Sequence, residues 1–188
     1  MTGETGGLKL GELPKLPDKL LEFAAAWRNW RGDAMLPSRG QIKLDEIGRL
    51  LPRVMVLEVL SPGEALFRLV GTAYLELFGV ELTGLNFVDL ATPENRAMRG
   101  ERLWAMATTP CGSYMSSPDP NPGRVDNILH TLTLPVQPEQ PDQPMQFFGL
   151  TYGTMQMNLS DNYDEDLLKR LANQFNYIDI GAGLPTGR

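Results

Sequence analysis

The sequence has few of the residues on which metal binding and covalent catalysis depend. It contains one cysteine, Cys111, and one histidine, His130, in 188 residues. A single cysteine excludes an intramolecular disulfide, and so few histidines and cysteines exclude a clustered metal site and most catalytic triads. The chain also has no nucleophile elbow and no phosphate-binding glycine loop. We therefore predict no catalytic residue and no metal ligand.

Long apolar runs and an excess of positive charge are missing as well. No run approaches the roughly 20 apolar residues that a membrane helix needs, and residues 1–17 lack the basic and apolar regions of a secretory signal. The chain has 17 basic and 23 acidic residues, a net charge of −6. Such a chain repels phosphate backbones and anionic membrane surfaces. We expect a cytoplasmic protein that binds no nucleic acid and does not insert into a membrane.

What is present is the composition of an ordinary globular domain, 42% hydrophobic and 21% charged. Glycine and proline punctuation divides it into four parts. We predict a mobile N-terminal segment over residues 1–17 and an N-terminal helical cap over 18–52. A core over 53–155 follows, and then a C-terminal helix and tail over 156–188.

The helical cap begins with an amphipathic helix over residues 18–30. A second short helix over 43–52 ends at Pro52. The apolar stripe of the first helix contains three large aromatic side chains: Phe23, Trp27 and Trp30. One sheet face need not bury both indoles, and surplus aromatic surface is typical of interfaces. We therefore predict a homodimer that forms through these three residues.

Residues 68–79, with the sequence RLVGTAYLELFG, change from strand to helical periodicity at Gly71. Glycine permits a sharp exit from a strand and a sharp turn after a helix. We assign Gly71 and Gly79 these structural roles, at either end of about two helical turns. Helices this short carry little stability of their own, so they suit a wall that responds to a ligand.

The order of the elements predicts an α+β fold. Strands over 53–60 and 65–70 form a hairpin, a long helix spans 92–109, and two more long strands cover 124–135 and 145–155. The chain after Pro110 is expected to be irregular until the next strand. Strands separated by one helical crossover imply an antiparallel sheet with helices across one face. Because the strands are apolar on both faces, the first helix is expected to cover the other face.

Three segments of the sequence resemble PAS domains, in particular a bacterial subfamily of stand-alone PAS proteins. They are AWRNWRGDAMLPSR, DEIGRLLPRVMVLEV and FRLVGTAYLELFGVELTG. The resemblance implies a PAS-like five-stranded antiparallel sheet with a helix at each end of the chain. It also implies a sensory or regulatory module. No kinase, cyclase or DNA-binding segment accompanies it, so the output is expected to act in trans on a signalling partner.

A cavity is expected between the sheet and the helices over 72–109. Its predicted lining is mainly large and apolar, and consists of Phe67, Leu69, Tyr74, Phe78, Phe87, Met98, Met106, His130, Phe148 and Tyr152. The same residues also fit an ordinary core. We place His130 at the cavity wall because it shares a strand face with Leu132 and Leu134; a hydrogen-bonded core histidine is the alternative. Arg39, which matches a family arginine, is expected to tie the N-terminal segment to the domain.

Two classes of function remain open from the sequence. One is a sensor that binds a small ligand or a protein partner, with a ligand-free interaction scaffold as a variant. The other is a small enzyme on a cone-shaped α+β fold that uses His130 with Glu58. No cofactor is predicted. Haem is not expected because the long helix, where haem-binding PAS domains place their histidine, has none. Flavin is not expected because Cys111 follows that helix instead of preceding it.

Overall fold

The computed structural model describes residues 8–10, 16–118, 127–140, 142–155 and 174–186. Within these ranges the α-helices are α1 (Asp18–Arg31), α2 (Ala73–Phe78) and α3 (Pro93–Thr108). Shorter 3₁₀ segments cover Arg39–Gln41, Leu44–Arg53 and Phe87–Leu90. The strands are β1 (Leu8–Lys9), β2 (Val54–Ser61), β3 (Glu64–Val70), β4 (Gly112–Pro118), β5 (Asn127–Val136), β6 (Met145–Met155) and β7 (Phe175–Asp179).

The strands form one sheet in the order β1-β7-β4-β5-β6-β2-β3. The five strands from β4 to β3 in this order pair antiparallel throughout, which confirms the predicted five-stranded sheet. β7 adds to β4 antiparallel, and β1 adds to β7 in parallel. β4 corrects the expectation of irregular chain after Pro110, since its serines gave no apolar alternation to read.

One face of the sheet is covered by α1, as predicted. The helix starts at Asp18 after Pro17, and it ends at Gly32, where φ is +53°. Its buried side chains are Leu20, Phe23, Ala24, Trp27 and Trp30. They pack against the even-numbered residues of the central strands, among them Val56, Leu132, Leu134, Phe148 and Leu150. The N-terminal helix therefore completes the core of its own domain.

The predicted interface residues are not available to a second chain. Phe23 and Trp27 are 0% exposed and Trp30 is 4% exposed. The Trp27 indole donates a hydrogen bond to the Pro135 carbonyl oxygen at 2.9 Å, and the Trp30 indole donates one to Glu46 at 2.9 Å. The proposed dimer contact through these residues is wrong, because the sheet face is broad enough to bury both indoles. A homodimer as such stays a prediction that light scattering tests.

The other face of the sheet is crossed by α2, the Phe87–Leu90 segment and α3. Buried residues of this layer include Tyr74, Val88, Leu103 and Met106, and they pack with odd-numbered residues of β2 such as Leu57. The helix α3 approaches the β2–β3 turn closely at Gly100, where an added Cβ would lie 1.7 Å from the Pro62 carbonyl oxygen. This contact fixes one end of the helical layer on the sheet.

Gly71 and Gly79 have the structural positions predicted, for different reasons. A Cβ on Gly71 would lie 2.3 Å from the Leu51 carbonyl oxygen and 2.4 Å from the backbone of Pro52. Close approach of two backbones, and no positive φ, requires glycine there. Gly79 ends α2 with φ at +72° and donates its N–H to the Leu75 carbonyl oxygen at 2.8 Å. This left-handed conformation favours glycine.

The N-terminal end of the chain was predicted as a mobile segment and the C-terminal end as a helix with a tail. Within the N-terminal segment, Leu8–Lys9 form β1 and pair with Ile178 and Asp179 of β7. Of the segment over 156–188 that was predicted as a C-terminal helix and tail, residues 156–173 lie outside the described residues, and Phe175 begins β7. The division into four segments otherwise stays a prediction.

Candidate ligand cavity

A cavity of about 480 Å³ lies between the sheet and the helical layer, where a cavity was predicted. Five of the predicted lining residues surround it: Phe67, Tyr74, Phe78, Phe87 and Met98. They come from β3, α2, the Phe87–Leu90 segment and α3. Further apolar lining comes from β2, β4, β5 and β7, namely Met55, Leu57, Met115, Leu129 and Phe175. The cavity thus has apolar walls on both its sheet and its helical sides.

The sheet side of the cavity also carries a row of hydroxyl groups. Successive residues of a strand point to opposite faces, and on β5 and β6 the positions on this face include Thr131, Thr133 and Thr151. The Tyr74 hydroxyl donates to the Thr151 hydroxyl at 2.9 Å, and Thr151 and Thr131 are hydrogen-bonded at 2.9 Å. Burial raises the pKa of Tyr74 above its usual value. This row is therefore neutral and internally hydrogen-bonded.

Two arginines on α3, Arg99 and Arg102, line the helical side of the cavity. Arg99 donates to the Phe87 carbonyl oxygen at 3.2 Å, and its guanidinium lies 4.7 Å from the centre of the Phe87 ring. The Arg102 guanidinium lies 4.3 Å from the centre of the Phe175 ring. Both side chains are partly buried, and burial lowers the pKa of each guanidinium. Partial removal from water is thus the main cause of the lowered pKa of both guanidiniums.

Sequence reasoning missed these two arginines, although a signal was present. Arg99, Arg102, Leu103 and Met106 are spaced i, i+3, i+4 and i+7, which defines one face of a helix. The last two of them are buried in the core. The helical stripe that carries them therefore runs directly through both arginines. A charged residue on an apolar stripe indicates a site where a partner or ligand could bind, because lysine and arginine are seldom fully buried without a partner.

Four of the predicted lining residues lie elsewhere. Leu69 is 42% exposed at the outer strand of the sheet, and Met106 is 0% exposed in the core beside the cavity. Phe148 and Tyr152 belong to β6 but pack on the α1 side of the sheet. These placements correct the predicted lining. For Phe148 and Tyr152 the reason is the period of two residues on β6, which makes Phe147, Gly149 and Thr151 face the cavity side of the sheet instead.

His130 also lies on the α1 side, so its placement at the cavity wall was wrong. It shares its face with Leu132 and Leu134 as predicted, but that face packs under α1. The cavity face of β5 carries Leu129 and Thr131 instead. Both faces of β5 are buried, and the more polar of the two lines the cavity. The apolar face that carries His130 was therefore assigned to the wrong side of the sheet.

His130 is half-buried and hydrogen-bonded beside the core under α1. Its Nδ1 atom lies 2.7 Å from the Tyr114 hydroxyl oxygen, and the two rings stack with centres 6.0 Å apart. Burial lowers the pKa of His130 below its usual 6.5. The ring is therefore held largely neutral near pH 7.

Glu58, the candidate partner of His130, is bonded elsewhere. It accepts hydrogen bonds from Arg68 at 2.9 Å and from Gln146 at 3.2 Å, and the Arg68 guanidinium holds the pKa of its carboxyl below the usual value. On β6, Glu58 is opposite Gln146 and His130 is opposite Tyr152. Six residues of strand separate these positions, about 20 Å. The two side chains do not form an acid–base pair.

Arg39 lies at the same corner of the sheet. It donates a hydrogen bond to the Gln146 side-chain oxygen at 2.7 Å, and Gln146 in turn donates to Glu58. The following Gln41 accepts from the Ser38 backbone at 2.8 Å, which fixes the short 3₁₀ turn that carries Arg39. The side chain thus joins the N-terminal segment to β6, in the position that its expected structural role requires.

Cys111 does not line the cavity either. It is 0% exposed in the core, and burial raises the pKa of its thiol to about 12. Among the described residues no group of three or more His, Cys, Asp and Glu could hold a metal ion. In the same part of the chain, no helix combines the length and the apolar character that crossing a membrane requires.

The chain matches a family model and is similar to solved structures. A family model described as a PAS domain matches residues 17–152. A similar solved structure is the PAS domain of Bordetella pertussis BvgS, which is 17% identical, with a TM-score of 0.43. The alignment covers 68% of this chain and 93% of the BvgS domain. No curated protein matches the sequence. The match of the family model spans most of the chain, including α1 and all five strands of the central sheet.

Proposed function

This chain belongs to the PAS domain family, and we propose that it is a sensory module that binds a small molecule in the cavity between sheet and α3. The observation that supports this most is the cavity itself. Its volume of about 480 Å³ lies in the range of roughly 300–1,000 Å³ that is typical of small-molecule sites. Apolar walls with a few polar groups are typical of such sites as well.

The helical wall of the cavity is suited to respond to an occupant. The helix α2 has six residues, and it lies between Gly71 and Gly79. Leu75 and Phe78 on this helix are 51% and 39% exposed, so it buries little apolar surface. Segments with few buried contacts open at low free-energy cost. We propose that a ligand shifts this wall and that a signalling partner, acting in trans, reads the change.

Native mass spectrometry of the protein, purified without denaturation, tests the proposal. We expect the wild-type protein to retain a small molecule, or to be stabilised by one in a thermal-shift screen. Leu129→Trp places an indole in the cavity and should abolish both effects. Leu69→Trp makes the same change at an exposed site on β3 and should preserve them.

Two results would contradict a ligand-binding function. One is a wild-type protein that retains no small molecule and is stabilised by none. The other is a Leu129→Trp variant that folds and still binds like the wild type. Either result would favour the interaction scaffold, in which the domain acts through its surface alone.

A further inference from the structure

We propose that the ligand is an organic acid, bound as its carboxylate, with Arg99 and Arg102 holding the charged end and the apolar walls holding the rest. This inference rests on the proposed function, because it names the ligand class for the same cavity. It depends on three observations: the charge of the lining, the partners of the two arginines, and the state of the hydroxyl row.

The charge of the cavity is opposite to the charge of the protein. The chain as a whole has a net charge of −6. The lining, in the part of the chain that the structure describes, contains Arg99 and Arg102 but no aspartate or glutamate. Two positive charges thus face a partly enclosed, largely apolar space. Such a space has a low effective dielectric constant, which strengthens the attraction for an anion.

The two arginines lack the carboxylate partners that three other arginines have. Among the described residues, Arg28, Arg31, Arg39 and Arg53 lack such partners as well. Arg49, Arg68 and Arg96 are each paired with a carboxylate, of Glu22, Glu58 and Asp89. These three are the more exposed cations, whose ion pairs contribute little.

Arg99 and Arg102 are more buried, yet no described carboxylate lies within ion-pair distance of either. Their contacts are a carbonyl oxygen and two aromatic rings. A cation–π contact offsets part of the cost of burying a guanidinium, and it does not use the N–H donors in the guanidinium plane. Apart from the one that Arg99 gives to the Phe87 carbonyl oxygen, these donors can bind an anion.

The spacing of the two arginines fits a carboxylate. Residues three apart on a helix have Cβ atoms roughly 5–6 Å apart on the same side, so both arginines extend from one face of α3 into the lining of the cavity. Their guanidiniums lie over rings of two different elements, Phe87 and Phe175. A carboxylate has two oxygens that accept from the planar fork of arginine.

The remaining lining of the cavity is mainly apolar, with further polar groups from Asn95, Ser113, Ser116, Ser117, Thr133 and Gln174, and it favours a ligand whose remainder is mainly apolar. The hydroxyls of Tyr74, Thr151 and Thr131 are already bonded to one another, so they require little from a ligand. The other walls include Phe67, Leu57 and Leu129. A small molecule with one carboxylate and an apolar body matches this arrangement better than an inorganic anion or a sugar phosphate.

Paired ligands test the charge requirement without any mutation. Isothermal titration would compare 3-phenylpropionate with 3-phenylpropionamide, and octanoate with octanamide. We expect at least one acid to bind about tenfold or more tightly than its amide, the ratio that one charge-assisted hydrogen bond provides. Phenyl phosphate and inorganic phosphate serve as the phosphate arm.

Variants then assign the effect to the arginines. Arg102→Gln should reduce the acid-to-amide ratio towards one, whereas Arg102→Lys should keep part of that ratio. Arg96→Gln removes one charge from the same helix outside the cavity and should leave the ratio as in the wild type. Urea denaturation of each variant checks that it folds.

The outcomes separate this inference from the proposed function. Amides that bind as well as acids, a retained neutral molecule, or binding of phenyl phosphate but of no carboxylate would overturn the organic acid and leave a ligand-binding cavity. An Arg102→Gln variant that keeps the full ratio would overturn the role of that arginine. A cavity that binds nothing, with Leu129→Trp indistinguishable from the wild type, would overturn both proposals.

Discussion

Replacing Gly71 by alanine should damage the fold by an amount that the backbone geometry sets. The new Cβ would meet the Leu51 carbonyl oxygen at 2.3 Å and the Pro52 carbonyl carbon and oxygen at 2.4 Å. All three are backbone atoms, so no side chain can rotate away. Relief requires a shift of about 1 Å between β3 and the end of the preceding 3₁₀ segment, and overpacking of this kind costs about 1–3 kcal/mol.

The hydrogen bonds of Gly71 oppose that shift. Its N–H donates to the Val54 carbonyl oxygen at 2.8 Å, and its own carbonyl oxygen accepts from the Tyr74 N–H at 3.1 Å. Weakening one of them adds about 1 kcal/mol. We therefore expect Gly71→Ala to lower the free energy of unfolding by about 2–4 kcal/mol, which corresponds to a fall in Tm of roughly 4–16 °C for a chain of this size.

Urea denaturation measures this loss as a lower midpoint at an unchanged slope. Gly40→Ala is the matched control, because a Cβ there meets nothing within 4 Å. In the control, alanine reduces the conformational entropy of the unfolded chain, so the free energy of unfolding should stay the same or rise slightly. A difference between the two variants of less than about 1 kcal/mol would refute the close-approach argument, since the clash itself should exceed it.

Three other predictions follow from described contacts. Gly100→Ala should destabilise the protein by about 2 kcal/mol or more in urea, because its Cβ would lie 1.7 Å from the Pro62 oxygen, whereas Gly48→Ala should not. A thiol reagent at about pH 8 should modify Cys111 only as fast as the protein unfolds, since the thiol is buried and its pKa is raised to about 12; rapid labelling of the native protein would contradict this. Burial lowers the pKa of His130, so the unfolded chain binds a proton at this residue more readily than the folded chain does. The contribution of neutral His130 to the free energy of unfolding is therefore present above pH 6.5 and should be lost as the pH falls below that value. Urea midpoints at several pH values should show that His130→Gln lacks this part of the pH dependence, and identical profiles would disprove it.

The local features of the fold could be read from the sequence. A helix that starts at Asp18 follows from its apolar stripe, and the β2–β3 hairpin follows from two apolar runs joined by a turn. The short helix α2 follows from helical spacing between two glycines. In each case residues close in sequence determine the structure through their periodicity and through the residues that interrupt it.

Features that depend on distant contacts could not be read in this way. The period of two on β5 showed that His130, Leu132 and Leu134 share a face, but it could not show that α1 covers that face. The pairing of Leu8 with Ile178 joins segments from opposite ends of the chain, and no local pattern marks it.

The candidate site was only partly predictable for a related reason. Its aromatic lining was found by residue type, because large apolar side chains are expected in a core. Arg99 and Arg102 have the same helical spacing as the buried Leu103 and Met106, but charged residues are mostly exposed in folded proteins, so the spacing alone does not place them at a cavity. Only the packing of α3 over the sheet shows that they face a cavity.

Among the residues that the structure describes, the sheet has no long edge open to another chain. At one side β7 pairs with β4, and β1, two residues long, is the outermost strand. At the other side the segment after α2 is hydrogen-bonded to β3. The Phe67 N–H donates to the Leu85 carbonyl oxygen at 3.0 Å, and the Gly84 N–H donates to the Phe67 carbonyl oxygen at 2.8 Å.

Short or covered edges are how sheets resist edge-to-edge aggregation. They also prevent a peptide from joining the sheet as an extra strand. A partner of the kind proposed above would therefore recognise side chains and surface shape, and the proposed change in the helical wall would reach it without the addition of a strand.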